Sequence, residues 1–238
     1  LETRGVLVGL FKTEKVYAIT GTFYPDPDPE TSTVDGYVYG QTVNSDFNTI
    51  RNQAGTSSYD NSSILRAIFE AEATTNLFNN LHHSYLLFNT SSLGSGATIS
   101  SAVFSAYYSE KRGGLGETNL HLAASTPASN TALVAADYQQ VGRTSFGSIA
   151  YANFLASQYN DITLNASGIS NISKTSISKF SLQLEWDVNN SFTGTWVNTG
   201  RTAIDVRSAE TTGTSQDPKL VVTYTLPANP KQDVIWFD

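Results

Sequence analysis

Three histidines, a scatter of carboxylates and three tryptophans carry most of the chemistry available to this 238-residue chain, which has no cysteine and no methionine. His82 and His83 are adjacent. Neighbours on a strand point to opposite faces, so in regular strand geometry the two cannot grip one metal ion together. With His121 they read as surface or loop-edge residues. Ser84 beside His83 is not a nucleophile–base pair, because triad geometry is spatial rather than sequential, and no Gly-x-Ser-x-Gly elbow is present. Glu70 and Glu72 would share a strand face about 7 Å apart, inside the roughly 5–10 Å range of glycosidase carboxylates. Glu185 and Asp187 have the same spacing. Any acidic strand edge produces such a pair, so the chain reads as a non-enzyme, with a polysaccharide-active enzyme a distant third choice.

Asp35 is the best candidate metal ligand. It opens an apparent strand, and Ca²⁺, a hard ion, takes carboxylate and carbonyl oxygens. The same residue also reads as a plain turn Asp before Gly36. A structural Ca²⁺ is the one cofactor considered, and otherwise none is expected. Trp196, in a Gly/Thr/Asn-rich loop over 192–200, reads as an exposed platform for a sugar ring, with Tyr107 as a second ligand-binding candidate. Trp186 reads as core.

What must position these groups is β-structure. Short alternating runs at 34–38, 83–88, 99–109, 119–122, 162–164, 203–207 and 219–226 are separated by Gly, Asn and Ser. Residues 65–73 read as strand or short helix, and 130–138 and 166–172 as helical turns. Phe180, Leu182, Leu184 and Trp186 alternate with Ser181, Gln183, Glu185 and Asp187, which predicts one buried and one solvated face. Pro218 has no N–H for a ladder and biases Asp217 away from helix, so the polar loop from Ser208 ends there and feeds the last strand. The expected fold is all-β, a β-sandwich of jelly-roll type with short helical excursions and extended N- and C-terminal arms.

Three alternating prolines in Tyr24-Pro25-Asp26-Pro27-Asp28-Pro29-Glu30 force an extended stretch and mark a boundary. The expected division is an arm over 1–30, a sandwich over 31–226 and a tail over 227–238. The arm and tail hold apolar strand-like segments, Val6, Val8, Leu10 and Phe11 at one end and Ile235, Trp236 and Phe237 at the other. A closed sandwich has no need of them, and strand addition to a neighbouring subunit is what they predict.

The formal net charge is −7 with Lys and Arg scattered, which argues against a nucleic-acid partner. The longest apolar run near the start, 5–11, is far shorter than the roughly 20 residues of a membrane span.

The order of several motifs resembles one family. They are Thr33-Val34-Asp35-Gly36-Tyr37-Val38, His83-Ser84-Tyr85-Leu86-Leu87-Phe88-Asn89-Thr90-Ser91, Ala97-Thr98-Ile99-Ser100-Ser101-Ala102, Tyr159-Asn160-Asp161-Ile162-Thr163-Leu164-Asn165 and Asp217-Pro218-Lys219-Leu220-Val221-Val222-Thr223-Tyr224. Together they resemble the DNRLRE-type jelly-roll domains of extracellular and phage-associated proteins over about 31–226. His83 stands where that family often carries Arg. The resemblance implies a non-catalytic module exposed at a particle or cell surface, some relatives of which bind polysaccharide. The first expectation is therefore a structural, surface-display protein of an extracellular assembly, a virion surface or a cell-surface filament, held to itself or to other coat subunits by its arms. The second is a carbohydrate-binding or adhesion module of a secreted protein.

Overall fold

The computed structural model describes residues 17–227. The fold is all-β, and its strands in chain order are β1 (Ile19–Phe23), β2 (Asp35–Ser45), β3 (Ser57–Tyr59), β4 (Ile64–Ala71), β5 (Phe78–Asn89), β6 (Thr98–Gly113), β7 (Leu120–Ala124), β8 (Gly147–Ile149), β9 (Tyr159–Thr163), β10 (Ile177–Leu184), β11 (Arg201–Arg207) and β12 (Lys219–Thr225). Three short α-helices interrupt them: α1 (Phe47–Asn52), α2 (Ala166–Asn171) and α3 (Glu185–Val188). The Asp46 side chain caps α1 by accepting the Thr49 N–H, and Asn165 caps α2 by accepting that of Gly168.

Every strand pairing is antiparallel, in the order β1-β12-β6-β11-β4-β5-β10-β7-β8, with β2 and β3 stacked outward from β5 and β9 alongside β6. Two long strands fork this sheet. Along one side of β6, β12 pairs with residues 98–105 and β11 takes over from Tyr108. Along one side of β5, β4 pairs with residues 78–82 and β10 with 84–89. The sheet curls at these forks, and one hydrophobic cluster draws on strands from both. Phe104 of β6 meets Phe88 of β5 edge-on at 6.4 Å, and Phe88 in turn meets Phe180 of β10 at 6.1 Å. Such offset and edge-on aromatic contacts add to the burial of the rings themselves.

Residues 64–71 are strand. Leu65, Ala67 and Phe69 are buried, while Arg66 and Glu70, the alternate positions, are only partly so. The strand stops at Ala71 because the Glu72 N–H turns back to the Leu77 carbonyl. Glu70 and Glu72 therefore do not form a strand pair, and Glu72 instead accepts the Ala73 N–H. The two predicted helical turns are a 3₁₀ turn, Ala135–Gln139, and α2.

The solvated face expected for β10 is a correction. Ser181 and Gln183 are completely buried, and the strand ends at Leu184 so that Asp187 belongs to α3. Both polar side chains are hydrogen-bonded by covering segments: Ser181 donates to the Ala124 carbonyl, and Gln183 donates to that of Gly142 and accepts from Arg143. Alternation located the strand, but polar residues with partners can be buried as completely as apolar ones.

The histidines are also not at the surface, being all at least nine-tenths buried. Within the 1–30 segment, β1 lies in register along β12, so Leu220–Tyr224 has a neighbour on each side. The proline stretch that follows is anchored, because Asp26 Oδ2 accepts the N–H groups of Thr31, Ser32 and Thr33. Val6, Val8, Leu10, Phe11, Ile235, Trp236 and Phe237 lie outside the described residues. Among the described residues no helix is long and apolar enough to cross a membrane.

Candidate functional site

The strand period sets up the most elaborate polar surface of the sheet. Side chains at alternate positions of β2, β3, β4, β5 and β11 share one face, opposite the one that buries Val38, Leu65, Ala67, Phe69 and Leu81. The register arranges that face into rows. One row runs Tyr39, His82, Ile68, Ala203, Arg112 across five strands, and the next runs Gln41, Asn80, Glu70, Arg201. Tyr59 of β3 stands opposite Tyr37 of β2. A Cβ at Gly36 would run into the Tyr59 carbonyl, so the glycine is what lets β3 lie this close.

The β2, β4 and β5 members of these rows, with Tyr37, Tyr59 and Arg66, line a groove of about 260 Å³. One end is aromatic. His82 stacks on Tyr39 at 4.9 Å and on Tyr37 at 5.5 Å, and Tyr59 stacks on Tyr37 at 5.1 Å. The Arg66 guanidinium lies 5.3 Å from the centre of the Tyr37 ring. Tyr37 is almost wholly buried by these neighbours, whereas Tyr59 is 41% exposed.

The other end is a polar ladder. Asn80 Nδ2 donates to Glu70 Oε2 at 2.8 Å, and Arg201 lies 3.4 Å from both Glu70 Oε1 and Asp205 Oδ2. Three polar atoms of the groove lining are buried without a hydrogen-bond partner: Arg66 Nε, Asn80 Oδ1 and His82 Nδ1. Buried polar atoms are nearly always partnered in native proteins, so a row of unsatisfied donors and acceptors facing one groove is the mark of a surface awaiting polar groups from a ligand or ordered water.

The charge state is set by burial. It holds the His82 imidazole well below its ordinary value, with Arg66 and Arg201 adding repulsion. It pushes the Asp205 carboxyl up to about 6, against the pull of Arg201 and Arg66. Two guanidinium groups thus face two carboxyl groups beside a neutral ring, and the groove favours neither anion nor cation. Aromatic surface beside a balanced set of donors and acceptors suits a neutral polyhydroxylated molecule.

Beneath the groove, β5 alternation turns His83 to the inner side. Its Nε2 lies 2.8 Å from Asp187 Oδ2, and its Nδ1 3.1 Å from the Tyr138 carbonyl oxygen. Arg51 Nε lies 3.1 Å from Asp187 Oδ1, and Arg143 binds Oδ2 of the same carboxylate. Burial pulls the Asp187 carboxyl upward, but His83, Arg143 and Arg51 together outweigh it and hold the group below the ordinary carboxylate value. This hub ties α1, β5, the 142–146 segment and α3 together under the groove floor.

The candidates drawn from sequence sit elsewhere. Trp196 is half-buried, packs on the edge of the core and donates its Nε1–H to the Leu77 carbonyl at 3.1 Å, so it caps the loop. Tyr107 is half-buried on β6, edge-on to Tyr159 of β9 at 5.4 Å. Asp35 is completely buried at the start of β2, where its Oδ2 accepts the Ala209 N–H at 3.0 Å. None of the three lines the groove. Of the residues singled out for chemistry in the sequence, Glu70 and His82 do. Tyr37-x-Tyr39, Arg66-x-Ile68-x-Glu70 and Arg201-x-x-x-Asp205 were the available signals, since each places its members on one strand face. No protein-family model and no curated protein matches the chain, so the DNRLRE-type likeness remains one of motif order.

Proposed function

We propose that this protein is a non-catalytic carbohydrate-binding module whose ligand lies in the Tyr37–Tyr39–Tyr59–His82 groove. The observation that carries the reading is the juxtaposition, in one groove, of stacked aromatic side chains with the Asn80–Glu70 pair, which Arg201 backs, and with unpartnered buried atoms of Arg66, Asn80 and His82. A sugar presents apolar C–H faces and a ring of hydroxyls that both donate and accept. The aromatic end supports the first and the ladder the second. Rows that extend across five strands suit a chain of sugar units better than a single compact one. An extracellular or particle-surface location accords with such a ligand, and the groove supports adhesion over pure scaffolding.

Glu70 is the carboxyl group that lines the groove, Asp205 lies beside it in register with Arg66, and Arg201 contacts both.

The test is retention on, and calorimetric titration with, a panel of neutral and uronic-acid polysaccharides. Binding to a neutral polysaccharide is expected, weakened about tenfold or more by Tyr59→Ala and by Arg201→Ala, a loss of ~1.4 kcal/mol or more each. Trp196→Ala is expected to leave affinity unchanged. Absence of retention by every polysaccharide, or loss on Trp196→Ala alone, would remove the groove from consideration. Product release that disappears in Glu70→Gln would replace the binding reading with an enzymatic one.

A further inference from the structure

A second polar site, independent of the groove, lies where the start of β2 meets the loop leading into β12. Asp35 is 0% exposed, and only its Oδ2 is hydrogen-bonded. Its Oδ1 has no partner, and Glu210 reaches it from the 208–217 loop to within hydrogen-bonding range. Both carboxylate oxygens of Glu210 are themselves buried without a partner. Further unpartnered buried oxygens are Asp217 Oδ1, Ser208 Oγ and Glu30 Oε1. Ser208 and Asp217 are at least nine-tenths buried.

Among the described residues no positive group forms a salt bridge with this concentration of acid, neither with Asp35 and Glu210 nor with Asp217 and Glu30. The charged side chains bearing on Asp35 are Glu210 and Asp217, and those bearing on Glu30 are Asp26, Asp28 and Asp60. An isolated buried carboxylate is expensive, and a facing pair cannot both ionise without a cation. The contrast with Asp187, buried as deeply but met by three basic groups, shows what the fold does elsewhere with such a charge.

We propose that this cluster binds Ca²⁺, with Asp35 and Glu210 as the central ligands and Ser208 contributing its hydroxyl oxygen. The donor set is all oxygen, which selects a hard ion. Among the described residues no three His, Asp or Glu side chains are gathered into a ready-made cage. The site is thus a two-carboxylate core completed by hydroxyl, main-chain and water oxygens, an arrangement Ca²⁺ tolerates through its flexible coordination and Mg²⁺, with its strict octahedron, does not. A cavity of about 410 Å³ between Pro25–Asp28 and the 209–217 loop gives water and ion a way in. The bound ion would clip the loop to the first residue of β2, joining segments far apart in the chain.

The experiment is thermal unfolding and calorimetric titration of the full chain after chelation, with Ca²⁺ and Mg²⁺ added separately, on the native protein and on Glu210→Gln and Asp35→Asn. About one Ca²⁺ per chain is expected. At a hundredfold excess over Kd, Tm should rise by about 5–10 °C, with a much smaller effect of Mg²⁺. Glu210 is only partly buried, so Glu210→Gln should fold, lose calcium binding and melt at or above the chelated native protein. Asp35→Asn should lose the calcium response in the same way. The proposal is overturned if neither heat nor a Tm shift accompanies millimolar Ca²⁺, if Mg²⁺ acts equally, or if Glu210→Gln retains the full response. Polysaccharide binding by the groove can survive any of these results.

Discussion

Asp187→Ala should destabilise the protein by about 3–5 kcal/mol, the loss expected when one member of a buried ion network is removed and its partners are stranded. The carboxylate is 1% exposed and is the common partner of His83, Arg51 and Arg143. Without it, two guanidinium groups and an imidazole would converge with nothing between them. Asp187→Asn should cost nearly as much, because the amide keeps the shape but removes the charge and one acceptor. The damage should be uneven. Arg51 links Asp187 to α1, both through the carboxylate and by donating to the Asp187 main-chain oxygen at 2.9 Å, so α1 amides should lose hydrogen-exchange protection before the central strands do. Urea unfolding of both variants checks the claim. If Asp187→Asn falls within about 1 kcal/mol of the native protein, the hub is a contact of convenience rather than a fastening.

Phe69→Ala should be comparably costly, at about 3–5 kcal/mol. Phe69 projects from β4 into the centre of an aromatic cluster. Its ring lies 4.4 Å from Phe78, 5.4 Å from Phe47, 5.6 Å from Phe192 and 6.2 Å from Trp186. These partners come from β5, α1, α3 and the loop that follows it. No single neighbour can move in to fill the space without dragging an element with it, which is the condition under which a large-to-small change costs most. Phe69→Leu, which keeps part of the volume, should recover a substantial share of the loss. Equal unfolding midpoints for the Ala and Leu variants would mean that the cluster collapses freely. Groove residues sit on the opposite face of the same strand, so polysaccharide affinity of the folded fraction should change little.

Local pattern made most of the β-structure readable. The alternation at 99–109 and the Leu220–Tyr224 run each depend on near neighbours in the chain, and each corresponds to a strand of the structure. The 65–73 ambiguity is resolved by what β4 packs against, since an apolar face at every second residue gains a strand's burial only when β5 and β11 flank it. The functional surface was less legible for a related reason. Tyr37 and Tyr39, Arg66 and Glu70, and Arg201 and Asp205 each declare a shared face within one strand. That these faces adjoin is decided by which strands pair, and the pairs join distant parts of the chain. The pull of Trp196 as a sugar platform came from its loop composition; its indole N–H and its place at the core edge make it a cap. Asp35 drew attention for its position before Gly36. The oxygens that gather around it come from the 208–217 loop and are invisible to any local reading.

β1 and β12 have a mechanical meaning. Ile19 faces Tyr224, so the chain enters and leaves this pair at the same end. Tension applied through the two ends of the chain would therefore load the ladder one rung at a time, from Ile19/Tyr224 toward Phe23/Leu220, rather than shearing all rungs together. β1, bonded to the sheet on one side only, should peel away at low force while β12 stays held by β6. Pulling experiments should show an early, small extension before the main rupture; a single cooperative rupture would contradict this load path. A module anchored at both ends would then lengthen slightly under strain while its groove, several strands away, kept its shape.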